Sequence, residues 1–356
     1  MSTTSSVRVV VADDSALMRN IVTRSLTKAG LEVVGSARDG DEALALCESK
    51  RPDAMTLDLT MPGLDGLGVL RILRERSGTN IPVVVVSAFS AAHGARAVDA
   101  LAEGAFDLVS KPTASESLDA FIDALGTKVK QAAASRRKPG RGTNGTALAP
   151  RPASPPPVRA VRRSPGPSRV ARLVVIATST GGPRALASLV PELPAPLGVG
   201  TLIVQHMPAG FTGSLAARLN ASSALTVVEA GGGETLDPRT ALLAPGGRHL
   251  RLAEDGRTVL SDEPAVGGLR PRADLLIQDA ARAYRDRLLL VVLTGMGNDG
   301  LAGAREVRRF GGRILAEAEE TCTVYGMPRA IVDSGLADEV HDLGRLAEVI
   351  ANEARA

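Results

Sequence analysis

Short runs of Val, Ile and Leu, each closed by Gly, Pro or a polar turn and followed by a helical pattern, recur along most of this chain. Before residue 131 there are five: Val7–Ala12, Leu31–Ala37, Ala54–Leu59, Pro82–Ser87 and Phe106–Ser110. Runs that are apolar at every position suit strands buried on both faces, and strands that alternate with helices must lie parallel, joined by right-handed crossovers. The carboxyl ends of such strands fall on one edge of the sheet, which is where open α/β sheets hold ligands. The pattern resumes after residue 172 with "LVVIATSTGGPRAL", "TLIVQHMPAGF" and "LLLVVLTGMGNDGLAG".

What lies between cannot pack. Residues 132–170 are dense in Pro, Gly, Ser and Arg, and from Gln131 to Arg172 there are ten Lys or Arg and no Asp or Glu. The formal charge of +3 therefore resides in this stretch, and the rest of the chain is net negative. A basic run can bind nucleic acid, but this one lacks interleaved aromatic residues, so a flexible tether is the better reading and no nucleic-acid partner is expected. The division is 1–131, 132–170 and 171–356. At 356 residues, with 2% aromatic content and no Trp, the chain can support two aliphatic cores. Two isolated cysteines, Cys47 and Cys322, fit a reducing compartment. The longest apolar run, Leu288–Leu293, is too short to cross a bilayer, and no basic region precedes an apolar stretch at the start. A cytoplasmic, soluble protein without membrane insertion is expected.

In the first unit, Asp13 and Asp14 follow the first strand, Asp58 ends the third, Ser87 ends the fourth, and Lys111 follows the fifth. Any one of these could be a helix cap. Together they place three carboxylates at one edge, where they repel unless a hard cation such as Mg²⁺ sits among them. A carboxylate beside Mg²⁺ can accept a phosphoryl group, with a hydroxyl and an ammonium holding its oxygens. The segments "VVVADDSALMR", "LDLTMPGLDGLGVL", "VVVVSA" and "GAFDLVSKP" resemble the receiver domain of two-component response regulators. That resemblance implies a flavodoxin-like fold with Asp58 as phosphoacceptor. It further implies Mg²⁺ held by Asp13, Asp14 and Asp58, Ser87 and Lys111 as phosphoryl-sensing residues, and a histidine kinase as phosphodonor. The chain departs from the family at Leu108, where an aromatic switch residue is usual, and at Thr60.

In the second unit, Ser179, His206 and Asp299 each stand just past a buried strand. Ser179 alone could cap a helix, His206 could be a core histidine, and Asp299 in "GNDG" could be turn chemistry. The three together supply what an activated hydroxyl needs: a nucleophile, a base and an orienting carboxylate. The other histidines, His93, His249 and His341, read as surface or loosely structured positions. A dinucleotide site is disfavoured, because "ATSTGGP" lacks the G-x-G-x-x-G glycines and the next strand ends in His, not an acid.

"IATSTGGP", "VQHMPAGFTGSLAARLN", "APGGRHL", "RPRADLL" and "LTGMGNDGLAG" resemble the catalytic domain of the chemotaxis protein-glutamate methylesterases, the CheB family. The implied architecture is two doubly wound parallel-sheet α/β domains, the second Rossmann-like, joined by a linker. The implied chemistry is a serine hydrolase with Ser179, His206 and Asp299 as nucleophile, base and acid, and with Thr180 and Met296 near the oxyanion. It would demethylate glutamyl methyl esters on chemoreceptors, deamidate receptor glutamines, and need no metal in that domain. Thr178 departs from the Ala common there. A catalytically silent binding module is the alternative, and the intact Ser, His and Asp set speaks against it. The resemblance also implies that the receiver blocks access to Ser179; with both reactive edges at carboxyl ends, a receiver docked face to face on the second domain of a monomer is expected. The helix after His206, "FTGSLAARL", is amphipathic and is expected to line a groove for a receptor helix.

Overall fold

A computed structural model describes residues 6–76, 81–88, 91–112, 117–136 and 171–355. The tether expected at 132–170 lies, from 137 onward, outside the described residues. The first domain is built from β1 (Arg8–Ala12), α1 (Ala16–Lys28), β2 (Glu32–Ala37), α2 (Gly40–Lys50), β3 (Ala54–Leu57), α3 (Gly66–Glu75), β4 (Val83–Ser87), α4 (Ala91–Ala102), β5 (Asp107–Ser110) and α5 (Leu118–Arg136). The sheet is parallel throughout, in the order β2-β1-β3-β4-β5. Every residue of β3 and β4 is buried, as their unbroken apolar runs require. Ser15, Asp39 and Asp65 start α1, α2 and α3 by accepting the N–H three residues on. Gly66 must be small, since a Cβ there would lie 2.4 Å from the Asp58 carbonyl.

The second domain runs β6 (Leu173–Thr178), α6 (Gly182–Leu189), β7 (Gly200–Gln205), α7 (Thr212–Ser222), β8 (Thr226–Glu229), β9 (Thr240–Leu243), β10 (His249–Leu252), β11 (Thr258–Ser261), α8 (Ala273–Tyr284), β12 (Leu288–Val292), α9 (Leu301–Arg309), β13 (Arg313–Glu317), α10 (Met327–Asp333), β14 (Glu339–His341) and α11 (Leu343–Ala354). Seven strands form a parallel sheet in the order β14-β13-β12-β6-β7-β9-β8, and β10 and β11 form a separate antiparallel hairpin. From β6 the chain first builds outward through β7, then crosses to β12 on the other side. The crevice at the carboxyl ends of β6, β7 and β12 is thus the switch point of the fold.

The two domains pack on each other, and their buried apolar side chains form one continuous cluster. The receiver lies over the carboxyl edge of the second sheet, but does not face it with its own reactive edge. The receiver presents α4, the start of β5 and α5 to the carboxyl edge of the second sheet, while its own acidic edge lies at the opposite ends of its strands. Helix α7 buries Leu215, Ala216 and Leu219 in the core, packs along β8, and also meets α4 of the receiver, with Arg218 paired to Asp99. The fit is close at Gly94 on α4: a Cβ there would stand 2.7 Å from the Gly210 carbonyl and 2.9 Å from the Ser214 hydroxyl. Gly94→Leu, a substitution that favours the helix itself, is therefore expected to wedge the domains apart. Small-angle scattering should show a larger radius of gyration than for the unsubstituted protein.

Candidate active site

At the acidic edge of the first domain, oxygens of Asp13, Asp14 and Asp58 lie within 4.8 Å of one another. Asp13 and Asp58 are buried. Lys111 Nζ reaches Asp13 Oδ2 and Asp58 Oδ2, each at 2.8 Å, and the other oxygen of Asp58 accepts the Leu59 N–H at 2.8 Å. Burial pushes the Asp13 carboxyl up, although Lys111 draws it down. For Lys111, burial works against the charge, but its bonds to Asp13 and Asp58 outweigh that and hold the ammonium above its usual value. The Ser87 hydroxyl is buried without a hydrogen-bond partner among the described residues. Three carboxylates with one ammonium leave a net negative site of hard oxygens, a donor set that fits Mg²⁺. Leu108, the departure from the family, is packed inward at 1% exposure, and Thr60 is exposed.

In the second domain, β6 ends at Thr178, and Ser179 begins a turn whose shape depends on glycine. Gly181 has φ +80°, and a Cβ there would meet Thr323 at 2.4 Å. The turn is laced to β12: Ser179 N–H donates to the Thr294 carbonyl at 3.0 Å, the Thr178 hydroxyl donates to the same oxygen at 2.8 Å, and the Thr294 hydroxyl donates to the Thr180 carbonyl at 3.0 Å. The hydroxyl at 178 thus adds a bond that alanine could not make. Gly295 lies against the nucleophile candidate, since a Cβ there would be 2.9 Å from Ser179 Cβ. The N–H groups of Thr180 and Met296 donate to no group among the described residues.

His206 follows β7 directly, and its Nε2 is 2.7 Å from Asp299 Oδ2. Asp299, 2% exposed, also accepts N–H groups from Ala273 at 2.7 Å and from Asp274 and Gly300 at 2.9 Å each, and Arg272 Nε stands 3.3 Å away. Burial would raise its carboxyl, but the His206 hydrogen bond and charge and these backbone donors prevail and hold it well below the ordinary range. Ser179 and His206 line one cavity of about 710 Å³ with Asp299, Met296 and Arg270. No hydrogen bond joins Ser179 Oγ to His206 among the described residues; such bonds are often open before substrate binds. The cavity's remaining wall is α5 of the receiver, through Asp123, Thr127, Lys128 and Gln131.

Three residues near the site were not read from the sequence. His249, expected in a surface setting, is fully buried on β10. Its Nε2 donates to the Pro264 carbonyl and its Nδ1 accepts the Arg272 N–H, both at 3.2 Å, which fixes the start of α8 where the donors to Asp299 lie. Glu317, fully buried at the end of β13, accepts the Thr294 N–H at 2.7 Å, and burial pushes its carboxyl up. Asp107, at the start of β5, accepts the Thr180 hydroxyl at 2.6 Å while Lys128 Nζ holds its other oxygen at 2.8 Å.

The charge on Asp299 links stability to pH. Because its folded pKa is depressed below the ordinary 3.8, its contribution is fully present above that value and is lost as pH falls through the folded one. The melting-temperature gap between the native protein and Asp299→Asn should stay level down to about pH 5 and narrow below about pH 4. A gap that does not change on acidification would show that Asp299 is not held charged.

Comparison with known proteins gives two family matches, CheB methylesterase over residues 174–350 and response regulator receiver domain over residues 9–123. The chain is 43% identical to a protein-glutamate methylesterase/protein-glutamine glutaminase of Symbiobacterium thermophilum, over 97% of this chain and 96% of that one. A protein of the same description in Myxococcus xanthus, numbered 5 there, is 42% identical over the whole of both chains. Among solved structures, the Thermotoga maritima CheB methylesterase catalytic domain matches 51% of this chain and 97% of its own, with 42% identity and a TM-score of 0.49.

Proposed function

The chain belongs to the CheB methylesterase family, with a response regulator receiver domain ahead of the catalytic one, and on that premise we propose that Ser179, His206 and Asp299 carry its chemistry. It is a protein-glutamate methylesterase and protein-glutamine glutaminase under phosphorylation control in chemotaxis. The observation that supports the assignment best is the buried His206–Asp299 pair opening into the same cavity as Ser179.

With Nε2–H directed at Asp299, the free lone pair of His206 is on Nδ1, so Nδ1 takes the Ser179 proton as Oγ attacks the ester or amide carbon. The imidazolium formed is stabilised by the Asp299 carboxylate, which remains ionised. His206 returns the proton to the departing methanol, or to ammonia in the glutaminase reaction, and water then hydrolyses the acyl-enzyme by the same route in reverse. The undonated N–H groups of Thr180 and Met296 are suited to the oxyanion, each worth about 3 kcal/mol if well aimed. Methylated glutamates of chemoreceptors are the substrates, and the work is done in the cytoplasm.

In the receiver, Asp13, Asp14 and Asp58 would hold Mg²⁺, which neutralises phosphoryl oxygens during transfer from a histidine kinase to Asp58. Lys111 and the unpartnered Ser87 hydroxyl are placed to hold the new oxygens. Unphosphorylated, the receiver shuts the enzyme: α5 walls the cavity, and Asp107 occupies the hydroxyl beside the nucleophile. Phosphorylation adds about two negative charges at the far edge of the receiver sheet and biases it toward an undocked state.

Steady-state methanol release from methylated receptor membranes tests both halves. Ser179→Ala is expected to abolish turnover, and Asp299→Asn to leave more activity than Ser179→Ala. Asp107→Ala, which frees Thr180 without touching the catalytic domain, should raise the unphosphorylated rate several-fold and shrink the activation by phosphodonor. Near-normal turnover in Ser179→Ala would remove the nucleophile assignment; an unchanged basal rate in Asp107→Ala would remove the blocking contact.

A further inference from the structure

Two strand ends must hold their reactive groups in register for a proton to pass between them. β6 and β7 pair in parallel from Leu173↔Gly200 to Thr178↔Gln205, and His206 N–H adds a last ladder bond to the Thr178 carbonyl at 3.1 Å. Beyond that rung both chains turn away, Ser179 toward α6 and His206 toward α7, and the main chain offers no further bond between them. The side chain of Gln205 supplies one. Its Nε2 donates to the Ser179 carbonyl and to the His206 carbonyl, each at 2.9 Å. The opposite amide orientation would face an oxygen toward two carbonyl oxygens, so the donor is fixed by its partners.

This amide is buried, at 2% exposure. The neighbouring turn is built around it. A Cβ on Gly182 would lie 2.0 Å from Gln205 Oε1 and 2.5 Å from Thr178 Oγ1, so only glycine lets the amide sit there. Gln205 Oε1 itself has no hydrogen-bond partner among the described residues. A buried acceptor left unpaired is costly, and two charge-neutral bonds from the same amide to the carbonyls of Ser179 and His206 are what the arrangement secures in return.

We propose that Gln205 is a positioning residue for the hydrolysis, clamping the main chain of Ser179 to that of His206 so that Oγ and Nδ1 can close to proton-transfer reach when substrate binds. This rests on the assignment of Ser179 and His206 as nucleophile and base. Gln205 touches neither substrate nor the reacting atoms; it acts through the two residues it ties. Loss of the clamp should appear in the chemical step and not in substrate binding, because the cavity is lined by other side chains.

The test is methanol release by the full chain, activated by phosphodonor, comparing the native protein with Gln205→Met, Gln205→Glu and Ser179→Ala. Met matches the volume but donates nothing. A fall in kcat of roughly 10- to 100-fold, with KM within about twofold and the melting temperature nearly kept, is expected for Gln205→Met. Glu keeps the shape, and its carboxyl can donate one bond only when protonated, so the ratio of its kcat to the native value should rise as pH is lowered. That ratio decides the matter should the Met variant fail to fold. A kcat within twofold of native in Gln205→Met, or a Gln205→Glu ratio that does not change with pH, overturns the clamp. Retained turnover in Ser179→Ala would instead overturn the nucleophile on which it rests, and the two failures are distinguishable within one assay.

Discussion

A negative charge kept in a dry interior organises the second domain. Asp299 is almost wholly removed from solvent, and an unpaired carboxylate there would be protonated or expelled. It stays ionised because the start of α8 and the turn before α9 aim N–H groups at it while His206 donates from the cavity side. That requirement reaches outward. The start of α8 is tied down by buried His249, and Asp274, which accepts from Gly300 and Gly303, fixes α9 against it. With the acid fixed, Nε2 of His206 is committed to it, and the proposed hydrolytic roles rest on that pairing.

The receiver repeats the logic with the opposite sign of demand. Its three carboxylates are crowded at one edge with a single ammonium, a state that awaits positive charge. The two acidic centres never meet. Docking through α4, β5 and α5 places the acidic edge of the receiver away from the cavity lined by Ser179, His206 and Asp299. Between the two lies Lys128, whose ammonium bonds both Asp107 and the Leu108 carbonyl at 2.8 Å and so ties α5 to β5.

Much of this was legible in the sequence because burial on both faces leaves a plain mark. All five receiver strands stand within two residues of where the Val-rich runs put them, and Asp13, Asp58, Ser87, Lys111, Ser179 and His206 stand at strand ends, whereas Asp299 lies well past β12, in the turn that starts α9. What escaped has physical reasons. His249 lies on a four-residue hairpin strand whose pattern is too short to show which face is buried. Glu317 acts on the main chain of Thr294 and Gln205 on that of Ser179, both more than twenty residues away in sequence, and no local spacing marks such a bond. The docking face was misjudged because the carboxyl-edge rule says where ligands bind to a sheet, not which surface another domain will offer to it.

The account turns on Ser179 being a nucleophile that the receiver covers until Asp58 is phosphorylated. The most direct measurement is the rate at which a fluorophosphonate probe labels the full chain, with and without Mg²⁺ and a small acyl-phosphate donor, with the labelled peptide mapped by mass spectrometry. Expected is a single adduct on Ser179 that forms several-fold faster once the donor is added, with the acceleration absent in Asp58→Asn. Labelling at another residue, or labelling of Ser179 at a rate indifferent to the donor, would contradict it.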